Sequence, residues 1–444
     1  MAVAEAVKAK MSGRANAGIR GMFETGLLLK KRFGAENVYD FSLGNPDLEP
    51  PALLSDTVKG VAADVSPGRH AYMPNAGLQD CREAVAARVA KEQGIILGAE
   101  NVIMSCGAAG ALNVFLKAVL NPQERVLVSV PFFPEYAHYA DNHGGVLIPV
   151  PCKADMSLNL AAFEQAFFQA EPEGKAVAAV IVNSPNNPSG KVYDAQSVAD
   201  LASIMRSYGK KTGKKPCLIC DEPYRDIVYD GVQVPSVFPL YDESLVVSSF
   251  AKNFSLPGER IGYIALNPVM ENAGEVFQAC AFANRILGFV NAPAFFQRVI
   301  ARSQGIEGDY SAYEKKRRLM TEAASGAGLE YIKPEGAFYL FCKVPAPGGK
   351  TGEGGKVNSG AQAVDGGKEV SDGNEDADNK KSIGDDLAFC AHLQKFRILC
   401  VPGSVFGCPG WFRAAYCTNE KTIINCKEPL KQACAQWTDK GGNL

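Results

Sequence analysis

The sequence predicts an α/β fold: a large domain built on a mostly parallel seven-stranded sheet between helices, joined to a smaller α+β domain. Three observations carry this expectation. Between Val102 and Leu266, seven short apolar runs recur, closed by turn residues and separated by stretches of helical spacing. Several of these runs are apolar at consecutive rather than alternate positions, as expected for strands covered by helices on both faces. Beyond Asn267-Pro268 the order changes to helices followed by isolated strands. At 444 residues the chain also exceeds what one hydrophobic core serves, so one large and one smaller domain are expected.

In chain order, apolar residues Ile19, Met22, Phe23, Leu27 and Phe33 recur near helical spacing and predict a helix from about Met11 to Phe33. A short strand around Val38–Phe41 runs into the turn Gly44-Asn45-Pro46-Asp47. Pro50-Pro51 then punctuates the chain, and a loop, His70–Gly77, precedes an amphipathic helix from Leu78 to about Glu92. The seven strands are expected at Val102–Ser105, Arg125–Val130, Val146–Val150, Ala178–Asn183, Pro216–Asp221, Leu245–Phe250 and Ile261–Leu266. Helices follow over Val269–Arg285, Pro293–Arg302 and Tyr310 to about Ala324. Strands are expected at Gly336–Phe341, Ile398–Val401 and Phe412–Tyr416, and a last helix at Glu420–Trp437. The expected division is 1–50 as an N-terminal segment of the small domain, 51–294 as the large domain and 295–444 as the small domain. Within the last, 346–386 holds ten glycines, no aromatic residue and charges of both signs. It buries too little apolar area to offset its ordering entropy and reads as a flexible surface insertion.

Composition excludes several classes. A net charge of −2 with 21% charged residues gives no reason to expect nucleic acid or an anionic membrane as partner. No run of about 18 apolar residues exists, so no membrane span is expected. The first residues mix Lys8, Lys10, Arg14 and Arg20 with Glu5 and Glu24 around no continuous apolar core. A secretory signal is therefore not expected, and a cytoplasmic location is. Thirteen cysteines are dispersed along the chain. Cys217 and Cys220 have CxxC spacing, but residues three apart on a strand face opposite sides, so they read as buried thiols rather than a metal or redox pair. The four histidines, His70, His138, His143 and His392, show no ligand spacing, and no metal site is expected.

Chemistry concentrates at the strand ends, where ligands collect in doubly wound sheets. The first large-sheet strand ends in Cys106-Gly107-Ala108-Ala109-Gly110, a small-residue turn opening a helix, whose free amides suit an anion. A tight packing turn is the alternative. The second ends in Pro131-Phe132-Phe133-Pro134 and offers an aromatic face. The fourth ends in Asn183-Ser184-Pro185-Asn186-Asn187-Pro188, a rigid loop presenting an amide. The fifth ends in Asp221-Glu222-Pro223-Tyr224, where a carboxylate leaving an apolar strand needs a partner. The sixth delivers Ser249 and Lys252, with Arg260 eight residues on. Small and apolar neighbours strip an ammonium of solvation and lower its pKa toward nucleophilic use, although a lone lysine also reads as a surface charge. Together these groups suit a flat heteroaromatic phosphate that forms an imine with lysine, and pyridoxal phosphate fits.

The stretches Leu43–Asp47, Tyr72–Gly77, Ser184–Gly190, Asp221–Tyr224, Ser249–Gly262 and Phe412-Arg413, in this order, resemble the fold-type I pyridoxal-phosphate aminotransferases of class I/II. The resemblance covers most of the chain from about Tyr39. It implies that Lys252 forms the Schiff base, that Asp221 pairs with the pyridine nitrogen, and that Tyr224 and Asn187 hydrogen-bond the ring hydroxyl. Phe133 takes the stacking position where many relatives carry Trp. Gly107, Ala108, Ala109, Ser249 and Arg260 would hold the phosphate, with Tyr72 contributed across a homodimer. Arg413 would clamp the substrate carboxylate, and Gly44 would let backbone approach it. The implied reaction moves an amino group from an L-amino acid, of aspartate or alanine type, to a 2-oxo acid by ping-pong kinetics. For an acidic substrate, relatives use a Lys where this chain has Ala109, or an Arg near an Asn-Pro-Pro loop. Arg285, before Asn291-Ala292-Pro293, is one residue off that spacing and reads first as a surface or interface charge, with a substrate contact the alternative. A carbon–sulfur β-lyase and a non-catalytic cofactor-binding regulator are the other two readings.

Overall fold

The computed structural model describes residues 3–12, 14–169, 175–303, 305–346 and 385–439; the insertion expected over 346–386 lies, apart from its end residues, outside them. Helices Glu5–Ser12 and Arg14–Phe33 precede β1 (Tyr39–Asp40), and helices Ala52–Ala63 and Gln79–Gln93 follow it. The large sheet comprises β2 (Val102–Ser105), β3 (Arg125–Ser129), β4 (Val146–Val150), β5 (Val177–Asn183), β6 (Cys217–Asp221), β7 (Ser244–Ser249) and β8 (Gly262–Leu266). Their spatial order is β2-β8-β7-β6-β5-β3-β4. β8 runs antiparallel to both neighbours and the remaining pairs are parallel. All seven expected strands form, as a mostly parallel sheet.

Alternate residues of these strands enter two separate cores, which is why whole strands read as apolar. Val180, Leu218 and Val246 face one core with the helices Gln79–Gln93, Ala195–Thr212 and Ala294–Ala301. Ile181, Ile219, Val247 and Ile264 face the other, with the helices Gly107–Val119 and Ala273–Ile286. Cys220 lies in the first core and Cys217 packs against the second, so the two thiols point to opposite faces of β6, as expected. All thirteen cysteines are free.

An additional small sheet domain is formed by β9 (Tyr331–Ile332), β10 (Tyr339–Lys343), β11 (Ile398–Leu399), β12 (Val401–Pro402) and β13 (Trp411–Ala415). Four of them make an antiparallel sheet in the order β12-β13-β10-β9, while β11 pairs in parallel with β1. Leu340, Cys342 and Phe412 pack there with Met320, Phe389 and Ile423 from the helices Ser311–Gly326, Asp385–Gln394 and Glu420–Asp439. Three expected elements differ in detail. The strand expected from Gly336 begins at Tyr339, because Ala337 adopts φ +57° and Gly336 makes only an isolated bridge to Val228. The run Ile398–Val401 divides between two partners, β1 and β13. The helix expected from Val269 begins at Ala273, after Asn272 turns the chain at φ +56°.

Candidate active site

The register brings the chemically unusual strand ends together. Asn183 is aligned with Asp221 and Asp221 with Val247 across β5, β6 and β7. Gly262 is aligned with both Ser105 and Ser249, so the turns after β2 and β7 meet at the start of β8.

Lys252 sits in the turn after β7. Its Nζ donates to the Gly44 carbonyl at 2.7 Å and lies 5.9 Å and 5.6 Å from the ring centroids of Tyr224 and Phe338. Removal from water pushes its pKa down to about 8; Cys417 opposes this, and the Arg413 and Arg260 cations reinforce it. Its hydrogen-bond partner is a carbonyl rather than a carboxylate, so the amine stays available for chemistry.

Asp221 ends β6 fully buried in the sheet edge. Tyr136 Oη donates to its Oδ2 at 2.5 Å, whereas its Oδ1 is buried with no hydrogen-bond partner among the described residues. Burial pushes the Asp221 pKa up to about 6, against the Tyr136 hydrogen bond. Asn183 Nδ2 donates to the Asp221 backbone carbonyl at 2.9 Å, and Asn183 Oδ1 accepts from the Asn187 amide at 2.7 Å. Phe133 packs edge-on against Tyr136, with centroids 5.6 Å apart.

Arg413, on β13, is only 3% exposed. Its Nη1 donates to Asn187 Oδ1 at 2.9 Å and its Nη2 to the Ser42 carbonyl at 2.6 Å. The guanidinium lies over the rings of Tyr339 and Phe406, at 4.7 Å and 4.8 Å. Tyr224 Oη and Tyr339 Oη are 2.7 Å apart. A Cβ at Gly44 would overlap the Tyr339 hydroxyl, so only glycine fits there beside Lys252.

Gly107 opens the helix Gly107–Val119 at φ +73°, and Cys106 before it makes no side-chain cap. The first-turn amides of Gly107, Ala108 and Ala109 are therefore not claimed by a capping side chain, and they carry the positive end of the helix. Arg260 is beside them: a Cβ on Gly107 would stand 2.8 Å from Arg260 Nη2. Ser249 is buried at the end of β7. A cation, a helix N-terminus and a serine at one turn can hold a phosphate.

The sequence matches the family model for class I and II aminotransferases over residues 35–426. The chain belongs to this family. It is a pyridoxal-phosphate-dependent aminotransferase. It is similar to the probable aspartate/prephenate aminotransferase of Aquifex aeolicus, 26% identical over 403 residues that span 89% of this chain and 91% of that one. The aromatic-amino-acid aminotransferase 2 of Thermococcus litoralis is 27% identical over 72% of this chain and 80% of that one. A solved amino transferase from Eubacterium rectale superimposes with a TM-score of 0.85 at 32% identity, covering 99% of this chain and 100% of that one.

The residues of this aminotransferase fit its cofactor. The orphaned Asp221 oxygen requires a donor such as a ring N–H, and the bare Gly107 turn leaves room for an anion. Tyr72, expected at the site, and Arg285, weighed as a substrate group, stand outside this set of contacts. Tyr72 is 93% exposed, and Arg285 is exposed with its guanidinium 5.1 Å over the Phe282 ring. Sequence reasoning missed Tyr136, Asn183 and Tyr339, and it missed the Ser42 carbonyl. The two tyrosines sit among apolar neighbours and read as core aromatics; only their hydroxyls, in a fully buried setting, signal a polar task.

Proposed function

We propose that this aminotransferase takes its amino group from an L-amino acid of aspartate or alanine type and passes it to a 2-oxo acid, in two half-reactions sharing one site. The observation that carries the residue assignments is the buried Lys252 amine, with its pKa lowered to about 8 and its Nζ on the Gly44 carbonyl. When bound, pyridoxal phosphate supplies an aldehyde for that amine and a ring that takes up the electron pair left at the substrate Cα.

The chain's own residues then divide the work. Asp221 offers Oδ1 to the ring nitrogen proton while Tyr136 occupies Oδ2. Gly107, Ala108 and Ala109 amides, Ser249 and Arg260 hold the phosphate, with Tyr72 of the partner subunit. Phe133 supports the ring face. Tyr224 donates to the ring oxygen; Asn187 does so through Nδ2, because its Oδ1 already accepts from Arg413. Arg413 presents its planar fork to the substrate α-carboxylate, against the glycine backbone at position 44. Lys252 Nζ, released as a free amine, takes the proton from the substrate Cα. A cation for a distal carboxylate is the open element of this assignment, since Ala109 offers none and Arg285 is exposed. Arg285 serves only if a subunit contact carries it to the site.

The same reading includes a homodimer, which the role proposed for the exposed Tyr72 calls for, and a cytoplasmic location, supported by thirteen unpaired cysteines. It also keeps the division of the chain at 50/51, where pairing of β1 with β11 supports assigning the first segment to the small domain. The boundary expected at 294/295 moves past Ala301, because the helix Ala294–Ala301 packs into the core of the large sheet. Rates measured side by side with aspartate, alanine and aromatic donors, each with 2-oxoglutarate, test the donor. Fastest turnover of aspartate or alanine is expected. Turnover confined to aromatic donors overturns the donor assignment, and pyruvate release from cystathionine without an oxo acid makes the chain a β-lyase.

A further inference from the structure

Tyr339 has no part in the assignments above, yet it touches three of their members. Its hydroxyl is 2.7 Å from Tyr224 Oη, its ring lies beneath the Arg413 guanidinium at 4.7 Å, and its hydroxyl occupies the space a side chain at position 44 would need. It comes from β10 of the small domain, whereas Tyr224 follows β6 of the large sheet. Both rings are buried and meet edge to face, with centroids 5.6 Å apart. A phenol carries one proton. If Tyr224 gave its proton to Tyr339, it would have none to donate elsewhere; if Tyr339 donates, the Tyr224 proton is free and aimed away.

We propose that Tyr339 is a positioning residue: it donates to Tyr224, which directs the Tyr224 proton to the cofactor ring oxygen, while its ring fixes the plane of Arg413. The inference rests on the role given to Tyr224 above. Bulk and hydrogen bonding are separable here. Phenylalanine at 339 keeps the ring under Arg413 and removes only the donor. Leucine removes the ring as well.

A donor on the ring oxygen weakens the internal hydrogen bond that favours the protonated lysine adduct, so the donor lowers the pH at which the bound cofactor changes absorbance. Loaded Tyr339→Phe is expected to show that midpoint raised by about half a pH unit or more, with kcat reduced and KM for the amino acid little changed. Loaded Tyr339→Leu should raise KM in addition. In a Tyr224→Phe background, Tyr339→Phe should produce no further midpoint shift, since it acts through the phenol already removed. Near-ultraviolet circular dichroism of each variant reports that the fold is kept. An unchanged or lowered midpoint in Tyr339→Phe, or an equal shift with and without Tyr224, overturns the proposal. The underlying assignment has its own readout: if Tyr224→Phe alone leaves the midpoint unmoved, the role of Tyr224 is what fails.

Discussion

Lys252 and Asp221 are both held at the edge of the sheet against their preference for water, and each is shifted toward its neutral form. For the lysine, the pKa falls from 10.5 to about 8 on folding. Below about pH 8 it is charged in both states, and the folded chain bears the full cost of burying the ammonium. Between about 8 and 10.5 it is neutral only when folded, so that cost is relieved as pH rises. Cofactor-free Lys252→Met should therefore be more stable than wild type near pH 7. The gap should narrow by about 3 kcal/mol toward pH 10.5, because each pKa unit is worth about 1.4 kcal/mol. Urea melts of the two proteins at matched pH measure it, and the many buried tyrosines and thiols cancel in the difference. A gap independent of pH contradicts the lysine's burial as a charge. Both residues were legible in the sequence because a charged group ending an apolar strand is conspicuous. Tyr136 and Tyr339 were not, since a tyrosine in a core segment looks the same whether its hydroxyl is structural or aimed at a site.

At the scale of elements, the site depends on two backbones touching. Gly262 begins β8, and a Cβ there would stand 2.6 Å from the Gly107 carbonyl carbon and 2.7 Å from the Ser248 oxygen. Neither is the end of a flexible side chain, so the helix start or β7 must shift. Gly262→Ala should cost about 1–3 kcal/mol of stability and weaken cofactor binding by roughly tenfold or more. Thermal melts and an absorbance titration of cofactor into the apo chain measure the two effects. Gly258→Ala, four residues earlier with nothing within 4 Å, should change neither. Equal behaviour of the two variants would remove the close packing of Gly262 on Gly107 as a condition for cofactor binding. The seven strands of the large sheet were read within a residue of their ends, because continuous burial on both faces leaves an apolar run that turn residues interrupt. Where backbone conformation decided the outcome, as at Ala337 with φ +57°, no residue in the sequence announced it.

At the scale of the molecule, the site belongs to neither unit alone. The large sheet contributes Asp221, Lys252 and Asn187, the small domain contributes Arg413 and Tyr339, and the N-terminal segment contributes Ser42 and Gly44. Arg413 bridges all three parts, donating to Asn187 and to the Ser42 carbonyl while lying over Tyr339. The guanidinium, to which the proposed function gives the substrate carboxylate, is thus held in place only when the parts are seated on one another. Resemblance to a family pointed to Asp221, Lys252, Asn187, Arg413 and Gly44 along the chain, but Tyr339, the Ser42 carbonyl and the hydrogen bonds among them required the fold.

The most direct measurement is the visible absorption of the cofactor-loaded protein before and after Lys252→Ala, with borohydride reduction followed by peptide mapping. Wild type should show a pH-dependent visible band and a reduced adduct on the peptide containing Lys252. The variant should lose both, together with almost all transamination. An adduct on another lysine, or a variant that transaminates at near wild-type rate, would contradict the account.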